Sequence, residues 1–119
     1  METKPLALII EDDVDQNLVF TTALEQAGYQ TESIMNGRTA QKRLTEVVPK
    51  MIILDLHIPE VAGGILLGQI RNDQRLAQAR VILATADAAL ADELHAKADL
   101  ILLKPISFSQ LSLLAKRFI

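Results

Sequence analysis

The sequence predicts a doubly wound α/β domain, in which helices cover both faces of a parallel β-sheet. Three observations favour this fold class. Short apolar runs of strand length recur five times along the 119 residues, and stretches of helical periodicity follow them. The runs are continuously apolar, which is typical of parallel strands buried on both faces. No linker, repeat or low-complexity tract interrupts the pattern, so we expect residues 1–119 to form a single domain.

The first part of the chain predicts two strands with a helix between them. Leu6–Ile10 is the first strand, and Gln30–Ile34 is a weaker second one. Between them, helical spacing relates four residues that we expect to face the core, Val14, Leu18, Thr21 and Leu24. Gly28 then offers a C-terminal cap for this helix.

The middle of the chain predicts a second and a third helix on either side of a buried strand. Asn36-Gly37 opens the second helix, whose inward positions are Ala40, Leu44 and Val47 and which Pro49 ends. Met51–Leu54 is the third strand. Gly63 and Gly64 then lead into a helix over Ile65–Asn72.

The last part of the chain predicts two more strands and two more helices. Arg80–Ala84 and Leu100–Leu103 are the strands, and Ala88–Lys97 is the short helix between them. Ser107 is a suitable N-cap for the final helix. One apolar stripe marks this helix, formed by Phe108, Leu111, Leu114, Ala115 and Phe118.

Composition excludes several classes of function. The chain has no cysteine, so disulfides, thiolate metal sites and cysteine nucleophiles are ruled out. A net charge of −3, one tyrosine and no tryptophan argue against direct nucleic-acid binding. The apolar run near the N-terminus is too short for a signal-peptide core, and no run has membrane-spanning length. We therefore expect a soluble, cytoplasmic protein.

Polar residues stand where four of the predicted strands end. They are Glu11-Asp12-Asp13, Asp55, Thr85 and Lys104. The carboxyl ends of parallel strands lie at one edge of a sheet, where such folds bind ligands, so we expect these residues to converge. Clustered carboxylates disfavour full ionisation unless a cation joins them, and oxygen ligands without cysteine favour Mg²⁺.

This arrangement predicts phosphoryl chemistry. With Mg²⁺, Lys104 and Thr85 holding the phosphoryl oxygens, Asp55 could attack phosphorus as a carboxylate nucleophile. Each residue also has a simpler interpretation. Asp13 or Asp15 could stabilise a helix N-terminus, Asp55 a turn before Pro59, and Thr85 or Lys104 could be structural or surface residues.

The motifs resemble those of response-regulator receiver domains of two-component signalling. "LIIEDD" is similar to the family's acidic pair, "ILDLHIP" to its phosphoacceptor turn, "ILATAD" to its switch hydroxyl and "LLKPIS" to its Lys-Pro. The four blocks stand in the family's order over essentially the whole chain. The resemblance implies a flavodoxin-like fold with strand order 2-1-3-4-5, as in the chemotaxis regulators, and a Lys104-Pro105 peptide that is often cis.

The resemblance also implies residue roles. Asp55 would accept a phosphoryl group from a histidine kinase or histidine phosphotransfer protein, as a signalling domain rather than an enzyme acting on a free substrate. Asp12 and Asp55 would bind Mg²⁺, with Glu11 holding a metal-bound water and the backbone carbonyl of His57 completing the protein ligands. Thr85 and Lys104 would bind phosphoryl oxygens. The face formed by the fourth helix, fifth strand and fifth helix would carry the signal, and it could also form a homodimer.

Two histidines and one aspartate are further candidates for this chemistry. The only other histidine, His95, is predicted on a separate helix, so no His-based metal cluster is expected. We expect His57 to lie exposed above the site. His57 and Asp87 would flank the route of an attacking water and could influence the phosphoryl lifetime.

Three positions depart from the family pattern. Ile101 stands where the fifth strand often carries a switch aromatic, so a Tyr or Phe rotamer cannot relay the signal. Ala62 replaces the common Asp before Gly63. Lys97-Ala98 replaces a usual Gly-Ala, which disfavours a left-handed helix end.

Two other functions remain open from the sequence. A pseudo-receiver would have the fold without phosphorylation, although none of the residues whose loss marks such domains is missing here. A haloacid-dehalogenase-type phosphatase would need an Asp where His57 stands, and its usual core is longer. The domain could stand alone or come from a larger regulator or hybrid kinase.

Overall fold

In the computed structural model, which describes residues 3–119, five strands form one sheet. They are β1 (Leu6–Ile10), β2 (Gln30–Ile34), β3 (Met51–Leu54), β4 (Arg80–Thr85) and β5 (Leu100–Leu103). All neighbouring strands are parallel. Their order across the sheet is β2-β1-β3-β4-β5, which confirms the predicted topology. Each strand boundary agrees with the prediction except that β4 extends one residue further, to Thr85.

Helices cover both faces of this sheet. The five α-helices are α1 (Val14–Gln26), α2 (Gly37–Arg43), α3 (Gly63–Asn72), α4 (Ala88–Leu94) and α5 (Phe108–Arg117). Single 3₁₀ turns follow α3 and α4, at Gln74–Leu76 and His95–Lys97. None of the helices between residues 3 and 119 combines the length and the apolarity that crossing a membrane requires.

Side chains that alternate along the strands contribute to two separate hydrophobic cores, one on each face of the sheet. Leu8, Ile10 and Ile52 point toward the face covered by α2, α3 and α4. Ala7 and Ile9 point toward the other face, where α1 and α5 pack together. Because both faces are covered, every residue of β3 is buried and apolar, which explains the continuous run in the sequence.

The predicted inward face of α1 is confirmed at Leu24 but wrong at Val14 and Leu18. The buried positions are Asn17, Phe20, Ala23 and Leu24, whereas Val14 and Leu18 are 71% and 65% exposed. A polar side chain therefore occupies a core position of this helix, and two apolar side chains face the solvent. Asn17 tolerates burial because its amide group is fully hydrogen-bonded, to the carbonyls of Ile9 and Glu11 and to the Thr21 hydroxyl.

Two predicted helices end earlier than expected. The second was expected to reach Val47, but α2 ends at Arg43 because side chains bind the carbonyls of its last turn and of the following loop. The Thr45 hydroxyl donates to the Lys42 carbonyl, and the Arg75 guanidinium donates to those of Leu44 and Val47. The fourth was expected to reach Lys97, but α4 changes to a 3₁₀ turn after Leu94.

The end of this 3₁₀ turn confirms that the chain forms no left-handed helix end at Lys97-Ala98. Ala98 has extended backbone angles (φ −111°, ψ 153°) instead of a left-handed cap. The Lys97 carbonyl accepts a 2.7 Å hydrogen bond from Nε of Arg71 on α3. A charged side chain from a neighbouring helix thus takes the place of the glycine cap.

The predicted helix caps are present. The side chains of Asp13, Asn36 and Ser107 accept hydrogen bonds from the backbone at the starts of α1, α2 and α5. Gly28, with φ of 109°, follows α1 in the left-handed conformation that glycine favours. Ala62 precedes α3 without a side-chain cap, because its methyl group cannot accept a hydrogen bond.

The loop between β3 and α3 is held against α2 by close backbone packing. Gly37 donates its N–H to the Pro59 carbonyl at 2.8 Å. A Cβ atom at Gly37 would collide with the Val61 carbonyl, so only glycine fits there without moving the loop. Gly68, on α3, has no atom within 4 Å of such a Cβ position and serves as a contrast.

We predict opposite effects for alanine at these two glycines. Gly37→Ala lowers the free energy of unfolding by about 1–3 kcal/mol, because the new methyl group overpacks the loop. Gly68→Ala raises it by about 0.5–1 kcal/mol, because alanine loses less backbone entropy in a helix. Urea denaturation of both variants tests this, and equal effects of the two substitutions would contradict the packing argument.

Candidate functional site

The register of the sheet sets Glu11 and Asp55 side by side. Ile10 pairs with Leu54, so the residues that follow these strand ends lie at the same level. The Asp55 N–H donates to the Ile10 carbonyl at 3.0 Å, and the Glu11 N–H donates to the Ile34 carbonyl at 3.0 Å. Both backbones are therefore fixed at the edge of the sheet before either side chain is considered.

Lys104 joins the two carboxylates. Its Nζ lies 2.6 Å from Oε1 of Glu11 and 3.0 Å from Oδ2 of Asp55. The side chain of Glu11 is 1% exposed, that of Asp55 8% and that of Lys104 15%. Three residues from distant parts of the chain thus form one buried, charged cluster, as the strand exits predicted.

Burial and charge act in opposite directions on these groups. Burial raises the pKa of Glu11, and the nearby Asp55 charge adds to this, while hydrogen bonds from Lys104 and from the Asp13 N–H oppose it. Burial by itself lowers the pKa of Lys104, but the hydrogen bonds to Glu11 and Asp55 outweigh it, so that this pKa is raised. Lys104 therefore stays a cation and supplies the charge that these carboxylates need.

Asp12 completes an oxygen-ligand cluster. Carboxylate oxygens of Glu11, Asp12 and Asp55 all lie within 4.8 Å of one another, and Asp12 is exposed while the other two are buried. Oxygen donors with one open side suit Mg²⁺, which keeps several waters and binds proteins through a few carboxylates. The residues present therefore fit this metal. The role of the His57 carbonyl as a further ligand stays a prediction.

Asp55, Thr85 and Asp13 also form local hydrogen bonds that stabilise turns and a helix end. Oδ1 of Asp55 accepts a 3.2 Å hydrogen bond from the His57 N–H, so Asp55 does shape its own turn. Thr85 is fully buried, and its hydroxyl accepts a 3.1 Å hydrogen bond from the Asp87 N–H. Asp13 is the N-cap of α1, accepting from the Gln16 N–H at 2.9 Å. The Lys104-Pro105 peptide is cis, as expected.

His57 lies exposed above the site, as predicted, and pairs with Asp87. Its Nε2 is 2.6 Å from Oδ2 of Asp87, and the imidazole is 65% exposed. Asp87 also caps α4 by accepting the Leu90 N–H. Hydrogen bonds from Leu90 and from His57 lower the pKa of Asp87. The loops after β3 and after β4 are therefore connected by a side-chain bridge next to Asp55 and Thr85.

Asn17 is the site residue that sequence reasoning missed. Its amide Nδ2 donates to the backbone carbonyl of Glu11 at 2.9 Å, inside the acidic loop. The signal in the sequence was weak, because an asparagine in the first turns of a helix ordinarily faces solvent.

Comparison with known proteins identifies the family. Residues 7–116 match the model of the response regulator receiver domain. The chain belongs to this family. The receiver domain is 36% identical over 112 residues to the transcriptional regulatory protein GltR of Pseudomonas aeruginosa, covering 92% of this chain and 46% of GltR. It is 31% identical over 110 residues to the DNA-binding dual master transcriptional regulator RpaA of Synechocystis, covering 90% of this chain and 46% of RpaA.

Solved structures agree on the fold. The chemotaxis response regulator CheY4 of Vibrio cholerae superimposes on this receiver domain with a TM-score of 0.87 over 98% of this chain and 100% of CheY4, at 22% identity. The predicted receiver fold is thereby confirmed. The chain spans about half the length of GltR and RpaA, 46% of each, so the activities of those whole proteins do not transfer to it directly.

We predict that Lys104 stabilises the receiver domain through the buried carboxylates. Without added metal, Lys104→Met lowers the free energy of unfolding by about 3 kcal/mol, because it leaves two buried acids without their cation. Lys42→Met, at an exposed position, changes it by less than about 0.5 kcal/mol. Urea denaturation in the presence of a chelator measures both, and equal values for the two variants would contradict a buried charge cluster.

Proposed function

We propose that this receiver domain accepts a phosphoryl group on Asp55 from a histidine kinase or histidine phosphotransfer protein, with Mg²⁺ as cofactor. One observation carries the proposal. Asp55 is a nearly buried carboxylate held at the edge of the sheet between a lysine and two further acids. Membership of the receiver family supports the same role for these residues. The domain acts as a phosphoacceptor that promotes its own phosphorylation and hydrolysis rather than as an enzyme on a free substrate.

The residues of the site divide the chemistry among them. A carboxylate oxygen of Asp55 bonds to phosphorus while the N–P bond of the donor breaks, and the electron pair stays on the imidazole nitrogen. Glu11, Asp12, Asp55 and the His57 carbonyl would hold Mg²⁺, which when bound offsets negative charge on the carboxylates and the phosphoryl group. Lys104 would bind an oxygen of the phosphoryl group once that group is attached to Asp55, because its ammonium already contacts the Asp55 carboxylate. Thr85 would donate its hydroxyl to a phosphoryl oxygen.

The signal would leave through the α4, β5 and α5 face. Ile101 on β5 is partly buried against the core on the α4 side, together with Leu90 and Leu94. Repacking of these aliphatic side chains after Thr85 moves would replace an aromatic rotamer switch. The same face exposes Leu103 (51%) and Leu113 (65%), which supports a partner or a second copy of the chain docking there.

We also propose a cellular location for this domain and that it makes no direct contact with nucleic acid. A receiver that is served by a kinase in two-component signalling works in the cytoplasm, where we place this one. The regulators RpaA and GltR are transcriptional regulators, and RpaA binds DNA. For this receiver domain we propose no direct nucleic-acid contact, because its net charge is −3.

We predict that Asp55→Asn abolishes phosphorylation. Incubation with Mg²⁺ and acetyl phosphate adds the mass of one phosphoryl group to the natural protein and none to the variant, because an amide oxygen is a far weaker nucleophile than a carboxylate. Asp13→Asn is the matched control, since asparagine also caps a helix and Asp13 lies outside the metal cluster. Intact-mass spectrometry with and without a chelator reads out all three proteins.

The other outcomes separate the alternatives. Mg²⁺ binding without any mass increase from several phosphodonors would favour a pseudo-receiver. Continuous release of phosphate without a stable adduct would favour a phosphatase. Persistent labelling of Asp55→Asn would point to another acceptor. Lys104→Ala should still bind Mg²⁺, but its response to phosphorylation should be impaired.

We predict that His57→Ala shortens the phosphoryl lifetime severalfold. The bridge between His57 and Asp87 stands at the edge of the site, and its removal opens the approach of water to the phosphoryl group. His95→Ala is the control, because the His95 imidazole bonds to the Asp92 carbonyl on α4. Phosphate release from the purified phosphorylated domain measures both rates. A lifetime unchanged by His57→Ala would remove the bridge from the mechanism.

A further inference from the structure

We propose that Asn17 is a positioning residue that holds the acidic loop in the geometry which Mg²⁺ requires. This inference rests on the proposed metal site and deepens it. Asn17 lies on the first turns of α1, is 3% exposed and belongs to neither the metal cluster nor the charged cluster around Lys104.

The amide of Asn17 binds the backbone where β1 ends. Nδ2 donates to the Glu11 carbonyl at 2.9 Å and to the Ile9 carbonyl at 3.3 Å. The Glu11 carbonyl belongs to the peptide group between Glu11 and Asp12, the two acids of the pair. Holding this peptide plane restricts the backbone angles on either side of it, and with them the directions in which the two side chains leave the backbone. From the other side, the Ile34 carbonyl of β2 accepts the Glu11 N–H at 3.0 Å.

A second hydrogen bond orients the amide itself. Oδ1 of Asn17 accepts from the Thr21 hydroxyl at 3.1 Å, one turn further along α1. This leaves the NH₂ group of Asn17 for the two carbonyls, and a flipped amide would lose both hydrogen bonds to them, because an amide oxygen cannot donate. Oγ of Thr21 is 3.0 Å from Oγ of Ser33 on β2. A continuous set of hydrogen bonds therefore leads from the partly exposed groove between α1 and β2 to the metal-binding loop.

Burial of the backbone at Glu11 explains why a polar residue occupies position 17. Glu11 is 1% exposed, so the backbone beside it has little access to water. An aliphatic side chain at position 17 would leave the Glu11 carbonyl without its side-chain donor, and the loop would gain freedom just where two carboxylates must converge. Residues that orient metal ligands without touching the metal typically change metal affinity about 10–100-fold when replaced.

The test compares three substitutions on α1. Asn17→Leu, which keeps the branching of the side-chain heavy atoms, removes the donor and should raise the Mg²⁺ dissociation constant about tenfold. Thr21→Val removes only the hydroxyl that orients the amide and should raise it by a smaller factor. Thr22→Val is the control, because the Thr22 hydroxyl bonds to the Leu18 carbonyl outside this set and should leave the constant unchanged. Isothermal titration calorimetry with Mg²⁺ alone measures the constants on protein shown to be folded by circular dichroism.

The outcomes distinguish this inference from the proposed function. If the natural protein binds no Mg²⁺, the proposed function fails and this inference fails with it. If the natural protein binds Mg²⁺ and Asn17→Leu binds it equally well, only the positioning role is overturned. A lower melting temperature with unchanged Mg²⁺ affinity would likewise show a merely structural residue and overturn the role.

A second measurement covers the case in which Asn17→Leu does not fold. In metal-free protein, amide hydrogen exchange at Asp12 and Asp13 should be faster in Thr21→Val than in Thr22→Val, because only the first substitution loosens the acidic loop. Equal exchange rates together with equal Mg²⁺ affinity in these two variants would overturn the proposal.

Discussion

The site depends on one electrostatic constraint, which is that two carboxylates must lie together in a place with little water. Glu11 and Asp55 are both nearly buried, and the Lys104 ammonium makes their proximity possible by contacting both. Each of the three groups would be costly to bury alone. The Lys104 cation is in position before any ligand arrives, as the proposed transfer of a phosphoryl group to Asp55 requires.

The parallel sheet is what brings these residues together. Ile10 and Leu54 are paired across β1 and β3, and Thr85 and Leu103 are paired across β4 and β5. Each functional side chain therefore stands in or directly after a strand whose backbone is held by its neighbours. Loops alone would not give this accuracy, because their backbone groups lack such partners. The apolar strands thus supply rigidity, and the polar residues at their ends supply chemistry.

The helix that follows β1 shows how function disturbs a simple hydrophobic pattern. A regular amphipathic helix would bury Val14 and Leu18, yet α1 buries Asn17 and exposes both aliphatic residues. The rotation places an amide against the acidic loop and leaves an apolar ridge at the surface near the site. Such conflicts between pattern and structure concentrate at functional sites. Two further contacts also join residues far apart in the chain: the side-chain bridge between His57 and Asp87, and the hydrogen bond from the Arg71 side chain to the Lys97 carbonyl.

Periodicity and strand-end chemistry were enough to predict the fold class, all five strands and the convergence of Glu11, Asp12, Asp55 and Lys104. These features are local or follow from the topology of parallel strands, so they can be predicted from the amino-acid sequence alone. The buried face of α1, the early ends of α2 and α4 and the partner of His57 could not be predicted in this way. Each depends on a hydrogen bond between elements, as between Asn17 and the Glu11 carbonyl or between Arg75 and the Leu44 carbonyl. Such bonds exist only once the elements have packed, because tertiary contacts override local preference where a buried polar group must find a partner.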